Sequence, residues 1–225
     1  MYAEEAPRES TLITPQQIAL AALVGYLLGS IPTGIIVARV YRNVDLTAYG
    51  SGRTGATNVL RTLGSGAAAI AFAGDFLKGL LAVLAVRLVI APFPENSWVE
   101  LVAGVAAVLG HSYSVFIGFK GGRGVVTGFG ATAAATPLAP ILMLIAFAIG
   151  AVLVAVTRYV SLGSVVGAAL AGLLMCWLAI NMGDPAWAVW GVLMSGFIIV
   201  SHKDNIERLL AGTERKLGER AERSV

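Results

Sequence analysis

Long apolar stretches alternate along this chain with short segments rich in glycine, proline and charge, and the spacing predicts helices long enough to cross a bilayer. The first is expected over about residues 14–40, with Pro15 tolerated in its opening turn. A polar, Gly-rich loop follows over 45–64, and further spans are expected over about 67–90 and 99–117, separated by a turn at Pro92, Pro94, Glu95 and Asn96. Residues 125–157 would make a helix of about 50 Å, too long for one crossing of a core about 30 Å thick. Two spans are therefore predicted there, a short fourth and a fifth over about 138–156, with the reversal at Pro137 and Pro140. A sixth should run from Arg158 to about residue 180, and a seventh over about 186–200. The predicted fold class is all-α, a polytopic membrane protein of seven spans forming one domain over residues 1–225.

Composition agrees. Charged residues are 13% of the 225, against about 25% in soluble domains, and hydrophobic residues are 57%. The single cysteine excludes a disulfide framework and a thiolate metal cluster, and no metal-ligand spacing is present. A cleaved signal peptide is not expected, because the first ten residues carry Glu4, Glu5 and Glu9 against Arg8 alone.

Charge then sets the sidedness. Of the 16 Lys and Arg, Arg8 alone falls on one side and Lys78 and Arg87 fall within a span; the rest gather on the other side. By the positive-inside rule the N-terminus, residues 1–13, is extracytoplasmic and the tail, 202–225, is a cytoplasmic interfacial segment. Trp98, Trp177, Trp187 and Trp190 fall near the predicted outer ends and Tyr41, Tyr49, Tyr113 and Tyr159 near the inner ones, as interfacial belts would. Parity brings the loops at 42–64, 118–124 and 158–164 and the tail from 201 to one face, expected to be cytoplasmic.

Those four segments carry the chemistry. Gly50, Ser51, Gly52, Arg53, Thr54, Gly55, Ala56, Thr57, Asn58 and Arg61 offer flexible backbone N–H groups, hydroxyls and two guanidinium forks, a combination suited to an anion. A solvated inter-helix loop is the plainer reading, and the segment lacks the Gly-Lys-Ser/Thr ending of a P-loop. Lys120, Gly121, Gly122, Arg123 and Gly124 place two cations beside paired glycines, with His111 upstream; snorkelling cations are the alternative for the charges and a buried structural donor for the histidine. Ser161 opens span six as an anion site or as an ordinary N-cap. His202 and Asn205, three apart, would share a helix face as proton acceptor and orienting amide. Asp75 and Lys78 are placed to pair inside span two, and Gly25/Gly29 and Gly163/Gly167 have the spacing of close helix packing.

Through these motifs, together with Gly29-Ser30-Ile31-Pro32-Thr33-Gly34, Gly110-His111, Ser161-Leu162 and the tail from His202 to Glu214, the chain resembles the bacterial acyl-phosphate:glycerol-3-phosphate acyltransferases, the PlsY family. The resemblance implies seven spans in the bacterial inner membrane, a cytoplasm-facing site, and transfer of a fatty acyl group from acyl phosphate to sn-glycerol 3-phosphate. The products would be lysophosphatidic acid and phosphate, the first step of phospholipid synthesis. It implies catalytic roles for Ser51, Asn58, Arg61, His202 and Asn205. Substrate binding would fall to Gly50, Gly52, Thr57, Lys120, Gly121, Gly122, Arg123, Gly124 and Ser161. No cofactor, metal or nucleic acid is implied; the partners are the two substrates, membrane lipid and the soluble enzyme that supplies acyl phosphate. The chain departs from the family pattern at Arg53, Ser114, Gly118, Arg123, Gly163 and Ser201. Two other readings use the same residues: a carrier for an organic phosphate, and a hydrolase built on Ser51, His202 and Asp45 or Asp204.

Overall fold

A computed structural model describes residues 13–89 and 97–219. Most of the expected extracytoplasmic segment, with Arg8, the turn at Pro92 to Asn96, and the last six residues of the tail lie outside the described residues. Among the described residues the chain forms ten α-helices: α1 (Pro15–Ser30), α2 (Thr33–Arg42), α3 (Ala56–Leu63), α4 (Ser65–Val89), α5 (Ser97–Ser112), α6 (Val125–Ala135), α7 (Ala139–Thr157), α8 (Val160–Met182), α9 (Pro185–Ser201) and α10 (Lys203–Leu210).

Four apolar units are long enough to cross a bilayer, namely α1 with α2, α4, α7 and α8. A fifth is added if α9 and α10, bent by 58°, are taken together. α5 and α6 are apolar but short, so a seven-span arrangement requires both of them to traverse a locally shielded core. An all-helical, multi-pass membrane protein is the result.

The first predicted span is broken. α1 ends at Ser30 and α2 begins at Thr33, because Pro32 has no N–H to continue the ladder. The carbonyl of Ile31 that the break frees accepts a hydrogen bond from Lys78 Nζ at 2.9 Å, and the ammonium also pairs with Asp75 at 2.8 Å. Asp75 in turn accepts from Thr33 Oγ1 at the start of α2. The Asp75–Lys78 pair expected from spacing thus forms, and it closes the break. The loop expected over 45–64 also contains more order than its glycines suggested: α3 is an amphipathic helix whose Val59 packs into a small core with Ala38, Leu46 and Ala71.

Helices pack wherever small residues let backbones meet. A Cβ on Gly29 would lie 2.0 Å from the Ala107 carbonyl oxygen of α5, and one on Gly163 would lie 2.5 Å from the Gly150 oxygen of α7. The tryptophan belt is corrected. Trp98 and Trp177 are exposed, whereas Trp187 and Trp190 are 1% and 0% exposed and belong to the main core with Met143, Met175 and Leu178. Trp190 Nε1 finds its partner in Thr132 Oγ1 at 2.9 Å, which is what permits an indole to sit inside. Near the end of α4, Arg87 forms a two-point ion pair with Glu100 at 2.6 and 2.7 Å and donates to the carbonyls of Ala134 and Ala135 at the end of α6. Those carbonyls have no intrahelical donor, and in a bilayer they would otherwise go unsatisfied.

Candidate active site

One end of the helix bundle gathers segments that are far apart in the chain. Arg61 of α3 donates to the Arg215 carbonyl at 3.3 Å, and Arg123 Nε donates to the Ser201 carbonyl at 3.2 Å. Arg158 Nη2 reaches the Leu217 carbonyl at 2.7 Å, and Arg53 lies 3.9 Å from Asp204. The four polar segments singled out from sequence therefore meet. They surround the mouth of a cavity of about 750 Å³, whose polar rim includes Ser51, Thr57, Arg61, Arg123, Ser161 and His202 and whose interior is apolar. Beside it lies a recess of about 260 Å³ bordered by Arg53, Arg61, Arg123, Arg208 and Arg215 against only Asp204 and Glu214. Facing guanidinium groups leave net positive charge in a confined space, an arrangement suited to phosphate.

Asn58 is the organiser of the first loop. Its amide nitrogen donates to the carbonyls of Leu46, Tyr49 and Arg53 at 3.3, 3.0 and 2.9 Å, and its oxygen accepts from the Ser51 N–H at 3.3 Å. Through these backbone bonds Asn58 holds Ser51 and Arg53 in place, and it also borders the cavity. Gly50 and Gly52 serve the same end: both adopt left-handed φ, 61° and 65°, and neither borders the cavity.

The second loop folds back on α5. A Cβ on Gly121 or Gly122 would collide, at 2.1 Å each, with the His111 carbonyl and His111 Nε2, and the Gly122 N–H donates to that carbonyl at 3.2 Å. Gly122, Arg123 and Gly124 thereby line the cavity. Lys120 does not: it is exposed, bridged through its backbone to Ser114, and outside the cavity lining. His111 is 6% exposed, and its Nδ1 lies 3.4 Å from Asp75, so it joins the buried Asp75–Lys78 group, and both His111 and Asp75 border the cavity.

The third and fourth segments are joined by a residue that sequence reasoning did not place in the site. Glu214, 8% exposed, accepts from Ser161 Oγ at 2.7 Å, Asn205 Nδ2 at 2.6 Å and Arg208 Nε at 2.8 Å. Burial raises its pKa, but these donors outweigh burial and hold it below the usual carboxylate value. Ser161 is consequently a donor to Glu214 and not the N-cap of α8, which is Tyr159. The sequence signals were the place of Glu214 at the end of the matching tail motif and Gly212, which adopts φ 71° just after α10 and turns the tail back toward the bundle.

Glu214 also fixes Asn205. Since a carboxylate accepts only, the amide nitrogen faces it, and the buried Asn205 Oδ1 is left without a protein partner. His202 is 3% exposed, with Nδ1 2.7 Å from the Ile198 carbonyl. A carbonyl cannot donate, so Nδ1 carries the proton and Nε2 is the lone pair. Burial lowers the His202 pKa most; the Ile198 bond opposes that, and Arg123 and Arg53 add to it, giving about 4. The imidazole is therefore neutral near pH 7. Two acceptor-bearing side chains, His202 and Asn205, thus line the cavity, and Asn205 also borders the cationic recess.

The family model described as glycerol-3-phosphate acyltransferase matches residues 19–212. The chain belongs to the glycerol-3-phosphate acyltransferase family. Relatives named glycerol-3-phosphate acyltransferase include one from Thermus thermophilus, 47% identical over 89% of this chain and 95% of its own length. Another, from Thermoanaerobacter sp. (strain X514), is 42% identical over 90% and 97%. Among solved structures, PlsY (YgiH), an integral membrane glycerol 3-phosphate acyltransferase, superposes in its glycerol 3-phosphate form with a TM-score of 0.78 at 37% identity, covering 89% of this chain and 96% of that one. Its lysophosphatidic acid form gives 0.77 at 36% identity, covering 90% and 96%. Among the described residues no group of three or more His, Cys, Asp or Glu side chains is placed to hold a metal ion.

Proposed function

We propose that this protein transfers a fatty acyl group from acyl phosphate to sn-glycerol 3-phosphate, releasing lysophosphatidic acid and inorganic phosphate. The observation that carries the reading is the junction of a cationic recess with a long apolar cavity, the two halves of an amphipathic product, where Arg61, Arg123 and Asn205 border both and His202 lines the cavity. The bound ligands named for the PlsY structures, glycerol 3-phosphate and lysophosphatidic acid, are one acceptor and one product of this reaction.

In this mechanism Arg61 and Arg123, with the Gly122–Gly124 backbone, bind phosphate. Ser51 is presented by the Asn58-ordered loop, and Thr57, Ser161 and Lys120 border or flank the same mouth. Arg61 is half-buried and loses some basicity, first to burial and then to Arg215, yet a guanidinium remains charged. Asn205 Oδ1 and His202 Nε2 accept hydrogen bonds from the glycerol hydroxyls and hold one of them against the acyl carbonyl carbon. That oxygen bonds to the carbon, the bond from the carbon to the phosphate oxygen breaks, and phosphate leaves with its electron pair. The hydroxyl proton passes to His202 Nε2 or to a substrate phosphate oxygen. In the free protein a base of pKa about 4 is the weaker of the two, since phosphate has a second pKa of about 6. Because an acyl phosphate already has a good leaving group, no covalent enzyme intermediate is needed.

The site faces the cytoplasm of a bacterial inner membrane, within one domain of seven spans whose N-terminus is outside. There a soluble enzyme could deliver acyl phosphate. The two rival readings are weaker. Asp45 is exposed and spent on Thr47, and Asp204 faces Arg53, so neither is placed as a hydrolase triad acid. A carrier would need its polar site at mid-bilayer, whereas here it lies at one end of the bundle.

The test supplies purified protein with glycerol 3-phosphate and, in turn, acyl phosphate, acyl-CoA or acyl carrier protein. Lysophosphatidic acid should form from acyl phosphate alone. Product only from a thioester donor would overturn the donor assignment, and product from none would overturn the function.

A further inference from the structure

The apolar part of the cavity has a definite far end. Four antiparallel neighbours line it, and the lining stops at one depth on each: Thr132 on α6, Met143 on α7, Met175 on α8 and Trp190 on α9. All four are buried, with exposures of 5%, 1%, 1% and 0%. The indole of Trp190 cannot swing aside easily. Its Nε1 is bonded to Thr132 Oγ1 at 2.9 Å, and its ring edge is seated so closely on α5 that a Cβ on Gly104 would lie 2.5 Å from Trp190 Cη2.

We infer that Trp190, Met143 and Met175 form a floor that sets the longest acyl chain the enzyme handles well. This rests on the acyltransferase reading above and adds the length of the donor to it. The depth follows from helix rise. From Ser161 to Met175 along α8 is 14 residues, about 21 Å, and from His202 back to Trp190 along α9 is 12 residues, about 18 Å. An extended polypeptide advances about 3.6 Å per three backbone bonds, so an all-trans chain advances about 1.2 Å per bond. The mouth-to-floor distance therefore holds about 15–17 chain bonds. Each methylene that finds no room inside forfeits burial worth about a fourfold change in affinity, so chains past this length lose ground quickly.

Ala171 lies along the same lining, 10 residues from Ser161 and so about 15 Å below the mouth. A larger side chain there raises the floor to a depth of about 12 bonds. Met143→Ala lowers it instead, by removing the flexible end of a buried side chain.

The experiment measures kcat/KM for saturated acyl phosphates of 10 to 22 carbons, presented at fixed mole fraction in lipid nanodiscs, for the wild type, Ala171→Leu and Met143→Ala. The wild type should rise to about 16 carbons and fall at least tenfold by 20. In Ala171→Leu the upper limit should drop by about four carbons, and in Met143→Ala it should climb by about two. Because the readout is the ratio between lengths within each variant, a general loss of folded protein does not mimic it, and the wild-type profile decides even if one variant is inactive. Equal rates from 16 to 22 carbons in the wild type, or variants that leave the limit where it was, would overturn the floor. No product from acyl phosphate of any length would instead overturn the functional reading, and the floor with it.

Discussion

His202 is caught between two constraints: it must be a lone-pair donor to the substrate, and it sits under a field of guanidinium groups. Burial and the Arg123 and Arg53 charges bring it down to about 4. The folded value lies below the ordinary 6.5, so the folded state disfavours the proton. His202 therefore adds stability fully above about pH 6.5, and that contribution is lost as pH falls from there through about 4. Phosphate entering the recess replaces repulsion with attraction and raises the value again. We expect NMR titration of the ring carbons, with His111→Gln to isolate His202, to give a midpoint near 4 in the free protein and a higher one with glycerol 3-phosphate. A midpoint near 6.5, unmoved by the substrate, would remove the basis for its assigned role. Glu214 acts at the same scale but through others, since the angle of Ser161, Asn205 and Arg208 depends on it. Nothing in the spacing of a tail carboxylate 53 residues from Ser161 announces that meeting.

Helices were legible in the sequence to the extent that composition alone dictates them. The apolar stretches over 67–90 and 138–156 correspond to α4 (Ser65–Val89) and α7 (Ala139–Thr157), because a run of that length, charge-free in α7 and carrying only the paired Asp75, Lys78 and Arg87 in α4, has no other stable form in lipid. The break at Pro32 was less visible, since proline is tolerated in membrane helices when a neighbour satisfies the freed carbonyl, and here the neighbour is Lys78 from another helix. α3 was hidden because its glycine-rich approach resembles a loop and its amphipathic face has a partner only in the folded state. Trp187 and Trp190 point to the same lesson: position near a span end suggested the interface, but helix rotation turned both rings inward. α6 has only 11 residues, and Arg87 with Glu100 makes that length workable by capping its carbonyls. Arg87→Met should leave the fully buried Glu100 uncompensated and cost about 3–5 kcal/mol. Arg87→Met with Glu100→Leu should recover much of that in thermal melts, because the buried charge is gone. Equal losses in the single and double variants would mean that the charge itself is not what the pair controls.

At the scale of the whole molecule, the sequence located the four segments that assemble but not every residue that does the assembling. Parity placed the Gly-rich loop, the Gly122–Gly124 turn, Ser161 and the His202 tail together, and they do meet at one end of the bundle. Lys120 stands out in the sequence for its charge beside paired glycines and lies outside the lining, because the tight fit of Gly121 and Gly122 on His111 turns Arg123, not Lys120, inward. Everything proposed for catalysis requires that this end face the cytoplasm as a unit. In a Cys176→Ser background, single cysteines at Ser51, Arg123, Ser161 and His202 can be reacted with a membrane-impermeant maleimide in intact spheroplasts and in inside-out vesicles. All four should label from the cytoplasmic side only, with protection by glycerol 3-phosphate; labelling of any one of them from the outside would contradict a single cytoplasmic site.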